Sequence, residues 1–186
     1  MAENIVFLGI KHCGKSTQGR LLAKRLQREF VDTDELLSSA YAVQYSAEVS
    51  AVSPREIMKK HGDDFFRRFE AGVIRDLIAE HSSGTVVALG GGVPCNAFLD
   101  ADELKKLGVN VYLEVTAQTA FERIVADGIP PFLQDGDPWK AFQQMYEERL
   151  PYYSRIADLH ISVKDEEPAE LLSDFIYNEL NKNGFL

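Results

Sequence analysis

The chain is poor in cysteine, with Cys13 and Cys95 as its only two among 186 residues. Two thiols cannot make a disulfide framework, so the stability must come from a packed core, and a reducing cytoplasm is the expected setting. Positive charge is also in deficit. With 20 Lys and Arg against 29 Asp and Glu, the net charge is −9. No basic block interrupts the sequence, which argues against nucleic acid as a partner. Long apolar runs are missing too. Ile5–Leu8 and Val86–Leu89 fall far short of the roughly 20 residues a membrane span requires, and the start MAENIVFLGIKHCGKS lacks the layout of a signal peptide. No internal repeat is visible. What is present, 45% hydrophobic and 26% charged residues, is the composition of one soluble globular domain over residues 1–186.

Short β-branched runs alternate with longer helical patterns, the signature of an α/β fold with a doubly wound parallel sheet. Strands are expected at Ile5–Leu8, Phe30–Asp32, Thr85–Leu89, Val109–Glu114 and Leu159–Val163, about five in all. A helix after the first strand carries Leu21, Leu22, Leu26 and Phe30 at helical spacing. Ser53-Pro54-Arg55-Glu56 combines a capping Ser, a Pro at the first helical position and a Glu three residues past the cap, so a helix starts there. Before it, SSAYAVQYSAEVSAVSP shows no clean period of either kind, and its structure stays open. The Gly-, Pro- and Asp-rich segment 127–138 reads as a surface loop suited to a lid. His61, His81 and His160 are too scattered for a metal site and are read as structural.

Gly9-Ile10-Lys11-His12-Cys13-Gly14-Lys15-Ser16 matches GxxxxGK[ST] between a strand and a helix, the context that the phosphate-binding loop requires. Four fixed positions would match by chance only about 0.01 times in a chain this long. Phosphate oxygens need many fixed donors. The loop amides, the helix N-terminus and the Lys15 ammonium, expected to be solvated on the phosphate side, supply them. His12, Cys13, Gly14, Lys15, Ser16 and Thr17 are the expected nucleotide contacts. Ser16 would place its hydroxyl on Mg²⁺, making ATP·Mg the expected ligand. Guanine-reading NKxD is absent, and Asn181-Lys182-Asn183-Gly184 lacks its acid.

From GRLLAKRLQREFVDTDELL onward the chain resembles the shikimate kinase family of small P-loop kinases. Asp32-Thr33-Asp34 is similar to the family's paired-acid motif, Phe66-Arg67-Arg68-Phe69-Glu70 to its arginine helix, and Gly90-Gly91-Gly92 to its triple-glycine turn. Glu148-Arg149-Leu150-Pro151-Tyr152-Tyr153 resembles its later substrate arginine and Pro-aromatic segment. The resemblance implies transfer of the ATP γ-phosphoryl group to the 3-hydroxyl of shikimate. It makes 33–70 the approximate substrate-binding segment; a monomer is compatible with the reading, and the sequence leaves the oligomeric state open. Asp32 suits a carboxylate orienting Mg²⁺ through its water shell. By analogy Asp34 holds the acceptor hydroxyl and could accept its proton, although positioning outweighs base strength in a loose transition state. The plainer reading of each acid is a helix cap or a solvated loop carboxylate. Arg67 and Arg149 would grip a substrate carboxylate, with surface arginines as the alternative. Gly90, Gly91 and Gly92 would let the backbone approach the ring and donate N–H groups. Arg123 aligns with the position that packs on adenine, or is an exposed helix charge, and Val163–Pro168 aligns with the adenine-side loop.

Departures from the pattern fall in the lid, in the phosphate loop at Lys11, His12 and Cys13, and in the interval after Asp34. The lid arginine position falls on Pro130, and no Arg or Lys occurs from Ile124 to Trp139, which predicts slow turnover. Lys11 would restore that charge from the opposite side, or is simply solvated. Cys13 either has a lowered pKa near the helix N-terminus and Lys15, or is a buried small hydrophobe. The interval between Asp34 and Arg67 is longer than the compact family version, which leaves open another hydroxylated acid such as gluconate. Pro130 also leaves open a nucleotide-binding regulatory module with little catalysis.

Overall fold

A computed structural model describes residues 3–45, 52–80, 84–126, 136–164 and 167–186. Five parallel strands form the central sheet: β1 (Ile5–Leu8), β2 (Glu29–Asp32), β3 (Thr85–Ala88), β4 (Val109–Glu114) and β5 (Leu159–Ser162), in the spatial order β2-β3-β1-β4-β5. The helices are α1 (Lys15–Leu26), α2 (Thr33–Tyr45), α3 (Pro54–His61), α4 (Asp63–Glu80), α5 (Ala101–Lys105), α6 (Ala117–Ala126), α7 (Pro138–Ile156) and α8 (Ala169–Lys182). This is the expected doubly wound α/β architecture. Every residue of β1 and β3 is buried, which explains their unbroken apolar runs. Asn4 ties the lower end of the sheet together: its Nδ2 donates to the Leu107 carbonyl (2.8 Å) and its Oδ1 accepts from the Thr85 amide (2.9 Å).

The strand expectations hold to within a residue at each end. Phe30, expected both on the period of the first helix and in the second strand, lies in the strand alone. The first helix ends at Leu26, where Gln27 adopts a left-handed φ of 54°. Its place in the helical period was a coincidence of spacing. The capping box at Ser53 is present in full: Ser53 Oγ accepts from the Glu56 amide, and Glu56 Oε2 accepts from the Ser53 amide.

The segment without a clear period is helical through Tyr45. The buried face of α2 is Leu37, Ser38, Tyr41 and Ala42. Ser38 counts as polar in a hydrophobicity pattern, yet its hydroxyl donates to the Asp34 carbonyl one turn back (2.8 Å) and so can be buried. Together α2, α3 and α4 enclose a small core of their own, with Leu37, Tyr41, Ile57, Phe66 and Val73 at its centre. Residues 46–51, His81, Asp165, Glu166 and the stretch 127–135, with Pro130, lie outside the described residues. The expected loop over 127–138 ends sooner than its last residue, because Asp137 caps α7 by accepting from the Trp139 and Lys140 amides and Pro138 is already helical.

Strand order decides where the chemistry collects. With β3 between β1 and β2, the chain leaving β1 (the phosphate loop), β2 (Asp32) and β3 (Gly90) emerges side by side at the carboxyl edge of the sheet.

Candidate active site

That edge opens into a cavity of about 760 Å³ lined by the phosphate loop, the start of α2, the glycine turn and the facing sides of α3, α4 and α7. Among the described residues five cations line it, Lys11, Lys15, Arg55, Arg67 and Arg149, against three acids, Asp32, Asp34 and Glu70. In a chain of net charge −9 this local excess of positive charge marks a site for anions. A smaller cavity of about 310 Å³ lies near Asn4, Gly108 and Asp158 and contains none of the expected site residues.

Gly14 is the N-cap of α1 with φ 100°, a left-handed conformation that glycine adopts without strain, and it turns the loop into the helix. Lys15 differs from expectation: it is only 9% exposed. Its Nζ donates to the carbonyls of Gly9 (3.0 Å) and Ile10 (2.9 Å) and lies 3.7 Å from Cys13 Sγ. All three ammonium protons therefore have acceptors inside the loop, and a phosphate must exchange for some of them. The Cys13 side chain is fully buried, turned toward the core and absent from the cavity wall, so of its two readings the small hydrophobe describes it. His12 and Thr17 line the cavity. Arg123 donates to the His12 carbonyl (3.1 Å), so it is not a free helix charge, and it is not among the described residues of the cavity wall.

Ser16 Oγ donates to Asp32 Oδ2 at 2.6 Å, while Asp32 Oδ1 accepts the Asp34 amide at 3.0 Å. This fixes the second carboxylate relative to the first. Asp34 is wetted by the cavity but crowded by its walls. Burial among those walls and then the Asp32 charge push its pKa above the usual carboxylate value, and Lys15 and Lys11 pull it back. A Cβ on Gly90 would lie 2.6 Å from Asp34 Oδ1, so any larger residue there would have to displace the Asp34 carboxylate. The Gly90 amide, expected to face a ligand, instead donates to Thr33 Oγ1 (2.8 Å), because the Thr33 hydroxyl lies between the two acids and reaches it first.

On α4, Arg67 lies 3.6 Å from Glu70 and 3.3 Å from Asp63. Glu70 is buried, and Asn96 Nδ2 bridges its carboxylate and the Arg67 carbonyl, both at 2.8 Å. Burial pushes the Glu70 pKa up, and Asn96 and Arg67 oppose the shift. From α7, Tyr153 donates to the Gly91 carbonyl (2.7 Å) and Arg149 approaches the same oxygen at 3.4 Å. The two arginines, 82 residues apart in sequence (149 − 67), thus share one cavity with Lys15 and Asp34. Sequence reasoning assigned no role to Thr33, Arg55, Glu70 or Asn96. The visible signal for Glu70 was an acid three residues beyond Arg67 on one helical face. Nothing local marked Asn96.

A phosphate loop opening a doubly wound sheet, beside a cavity lined by both acids and arginines, defines a small-molecule phosphotransferase of the P-loop class. A family model for shikimate kinase matches residues 11–179. Shikimate kinase from Caldanaerobacter subterraneus is 34% identical, with 98% of this chain and 99% of that protein covered. The Vibrio parahaemolyticus shikimate kinase is 35% identical with the same coverage. The solved shikimate kinase from Acinetobacter baumannii in complex with shikimate superimposes with a TM-score of 0.80 at 29% identity, over 98% of this chain and 95% of that one. A gluconokinase from Sinorhizobium meliloti shares the fold alone, with a TM-score of 0.57 at 18% identity. The chain belongs to the shikimate kinase family, a family of ATP-dependent kinases.

Proposed function

We propose that this chain transfers the γ-phosphoryl group of ATP to the 3-hydroxyl of shikimate. The observation that carries this reading is the single cavity shared by Lys15, Asp34, Arg67 and Arg149. It gives a nucleotide triphosphate and a small hydroxylated acid one common chamber. The hydroxyl oxygen bonds to the γ-phosphorus, and the bond from that phosphorus to the β–γ bridging oxygen breaks with its electron pair leaving on ADP. The hydroxyl proton passes to the Asp34 carboxylate. The roles follow from charge: Lys15 and the loop hold the triphosphate, Asp34 orients the acceptor hydroxyl, and Arg67 with Arg149 face the substrate carboxylate.

Ser16 and Asp32 are oxygen donors 2.6 Å apart at the mouth of the loop, a pair that fits a small hard cation keeping most of its waters. Among the described residues no group of three or more His, Cys, Asp or Glu side chains could hold a metal, which agrees with Mg²⁺ held mainly by nucleotide and water. Bound there, Mg²⁺ neutralises charge on the transferring phosphates. Lys11 is exposed on the cavity wall and its charge acts on Asp34, which suits a second cation near the γ-phosphate. Among the described residues no helix is long and apolar enough to cross a membrane.

The reading is tested by titrating shikimate onto the protein in a calorimeter. Arg67→Ala and Arg149→Ala should each weaken binding by about 2 to 4 kcal/mol, the scale of a lost charge-assisted pair, with ATP affinity nearly unchanged. Arg67→Ala also leaves buried Glu70 without its cation, so its thermal midpoint should fall as well. Wild-type shikimate affinity in either variant would remove that arginine from the acceptor site.

A further inference from the structure

Arg55 belongs to a motif that the sequence uses only to start a helix, yet its side chain lines the same cavity as the phosphate loop. The capping box holds the first turn of α3 rigidly, and Ile57, 1% exposed, anchors that turn in the small core. The neighbouring Glu56 carboxylate is taken up by the Ser53 amide and hydroxyl, both at 2.8 Å. Among the described residues Arg55 makes no hydrogen bond or ion pair. It is a cation delivered to the cavity by a fixed turn and left without a partner among the described residues.

The other cations are committed differently. Lys15 is held by loop carbonyls, Arg67 faces Glu70 and Asp63, and Arg149 approaches the Gly91 carbonyl. Lys11 lies in the phosphate loop, whereas Arg55 comes from the α3–α4 wall of the cavity, which Met58 of its own helix and Phe66 of α4 also line. The charge on that wall changes during the reaction. An acid of charge −1 enters, and when the new O–P bond has formed and ADP has left with the broken bond's electron pair, the acceptor also carries a phosphate monoester of charge about −2.

We propose that Arg55 is a catalytic residue whose guanidinium meets the phosphoryl group as it arrives on the acceptor and then holds the phosphorylated product. The inference rests on the kinase reading of the cavity. An interaction made with arriving charge appears in kcat and in product affinity, while an interaction with the entering carboxylate appears in acceptor KM.

The test compares wild type, Arg55→Ala and Arg55→Lys. Arg55→Ala should lower kcat about 10- to 100-fold and weaken shikimate 3-phosphate binding to the ADP-loaded protein by a similar factor, with KM for ATP unchanged. Arg55→Lys should recover part of both losses. Inorganic phosphate titrated onto ADP·Mg-loaded protein reads the same cation without an acceptor, and Arg55→Ala should weaken it about tenfold. If wild type fails to phosphorylate shikimate while phosphate binding still depends on Arg55, the kinase reading fails and takes the catalytic role with it, leaving Arg55 as a phosphate ligand of the cavity only. Unchanged kcat together with unchanged phosphate affinity in Arg55→Ala, or a rise in acceptor KM alone, would overturn the proposal.

Discussion

Lys15→Ala is expected to cut phosphoryl transfer by about 10²- to 10³-fold, the scale of removing a preorganised charge aimed at the transferring group. ATP binding should weaken with it. The structure adds a consequence that a solvent-facing lysine would not have. Removal of the ammonium leaves the Gly9 and Ile10 carbonyls unmet in a buried loop, at a cost of about 1 to 3 kcal/mol, so the variant should fold with a lower thermal midpoint. Steady-state kinetics and thermal unfolding on one preparation separate the effects. A folded variant turning over like wild type would refute the phosphate-loop assignment, and an unchanged midpoint would refute the structural role.

Asp34→Asn should nearly abolish transfer and yet stabilise the protein. The pKa of Asp34 is raised in the folded state, by burial first and the Asp32 charge second, so the folded protein binds this proton more tightly than the unfolded chain. Above the unfolded pKa the ionised carboxylate therefore opposes folding, and the penalty grows as pH rises through the raised folded value. Asn removes the charge while keeping the shape. The midpoint of Asp34→Asn should exceed that of wild type at neutral pH, and the gap should close as the solution is acidified below the ordinary carboxylate range. For catalysis the sign is the reverse, because transfer needs the ionised form: wild-type kcat should fall with acidification at a pH above the usual carboxylate value. A less stable Asp34→Asn would show that the site does not strain this carboxylate.

Much of this site was legible because it lies in short local patterns. Gly14, Lys15 and Ser16 need only the turn between one strand and one helix, and Asp32 and Asp34 need only the end of the next strand. The contacts that sequence reasoning missed are those set by packing between distant segments. Asn96 reaches Arg67 and Glu70 across 29 and 26 positions, and the Thr33 hydroxyl captures the Gly90 amide across 57. No periodicity encodes such pairs. The misreading of Lys15 has a similar origin: a motif gives the position of a charge but not whether the loop folds its carbonyls around it. The α2 helix was hidden because Ser38 satisfies its own hydroxyl, which breaks the apolar stripe without breaking the buried face. Arg55 was legible as a helix start and illegible as a cavity wall, since only tertiary placement brings α3 to the cavity that the phosphate loop also lines.

The central claim, one chamber in which ATP phosphorylates shikimate, is tested most directly by ADP release from purified wild-type protein with ATP and Mg²⁺, comparing shikimate, gluconate and no acceptor. Shikimate alone should drive ADP formation well above the acceptor-free rate, with shikimate 3-phosphate formed in equal amount. ADP formation that depends on gluconate, or ATP binding with no acceptor-dependent turnover at all, would contradict it.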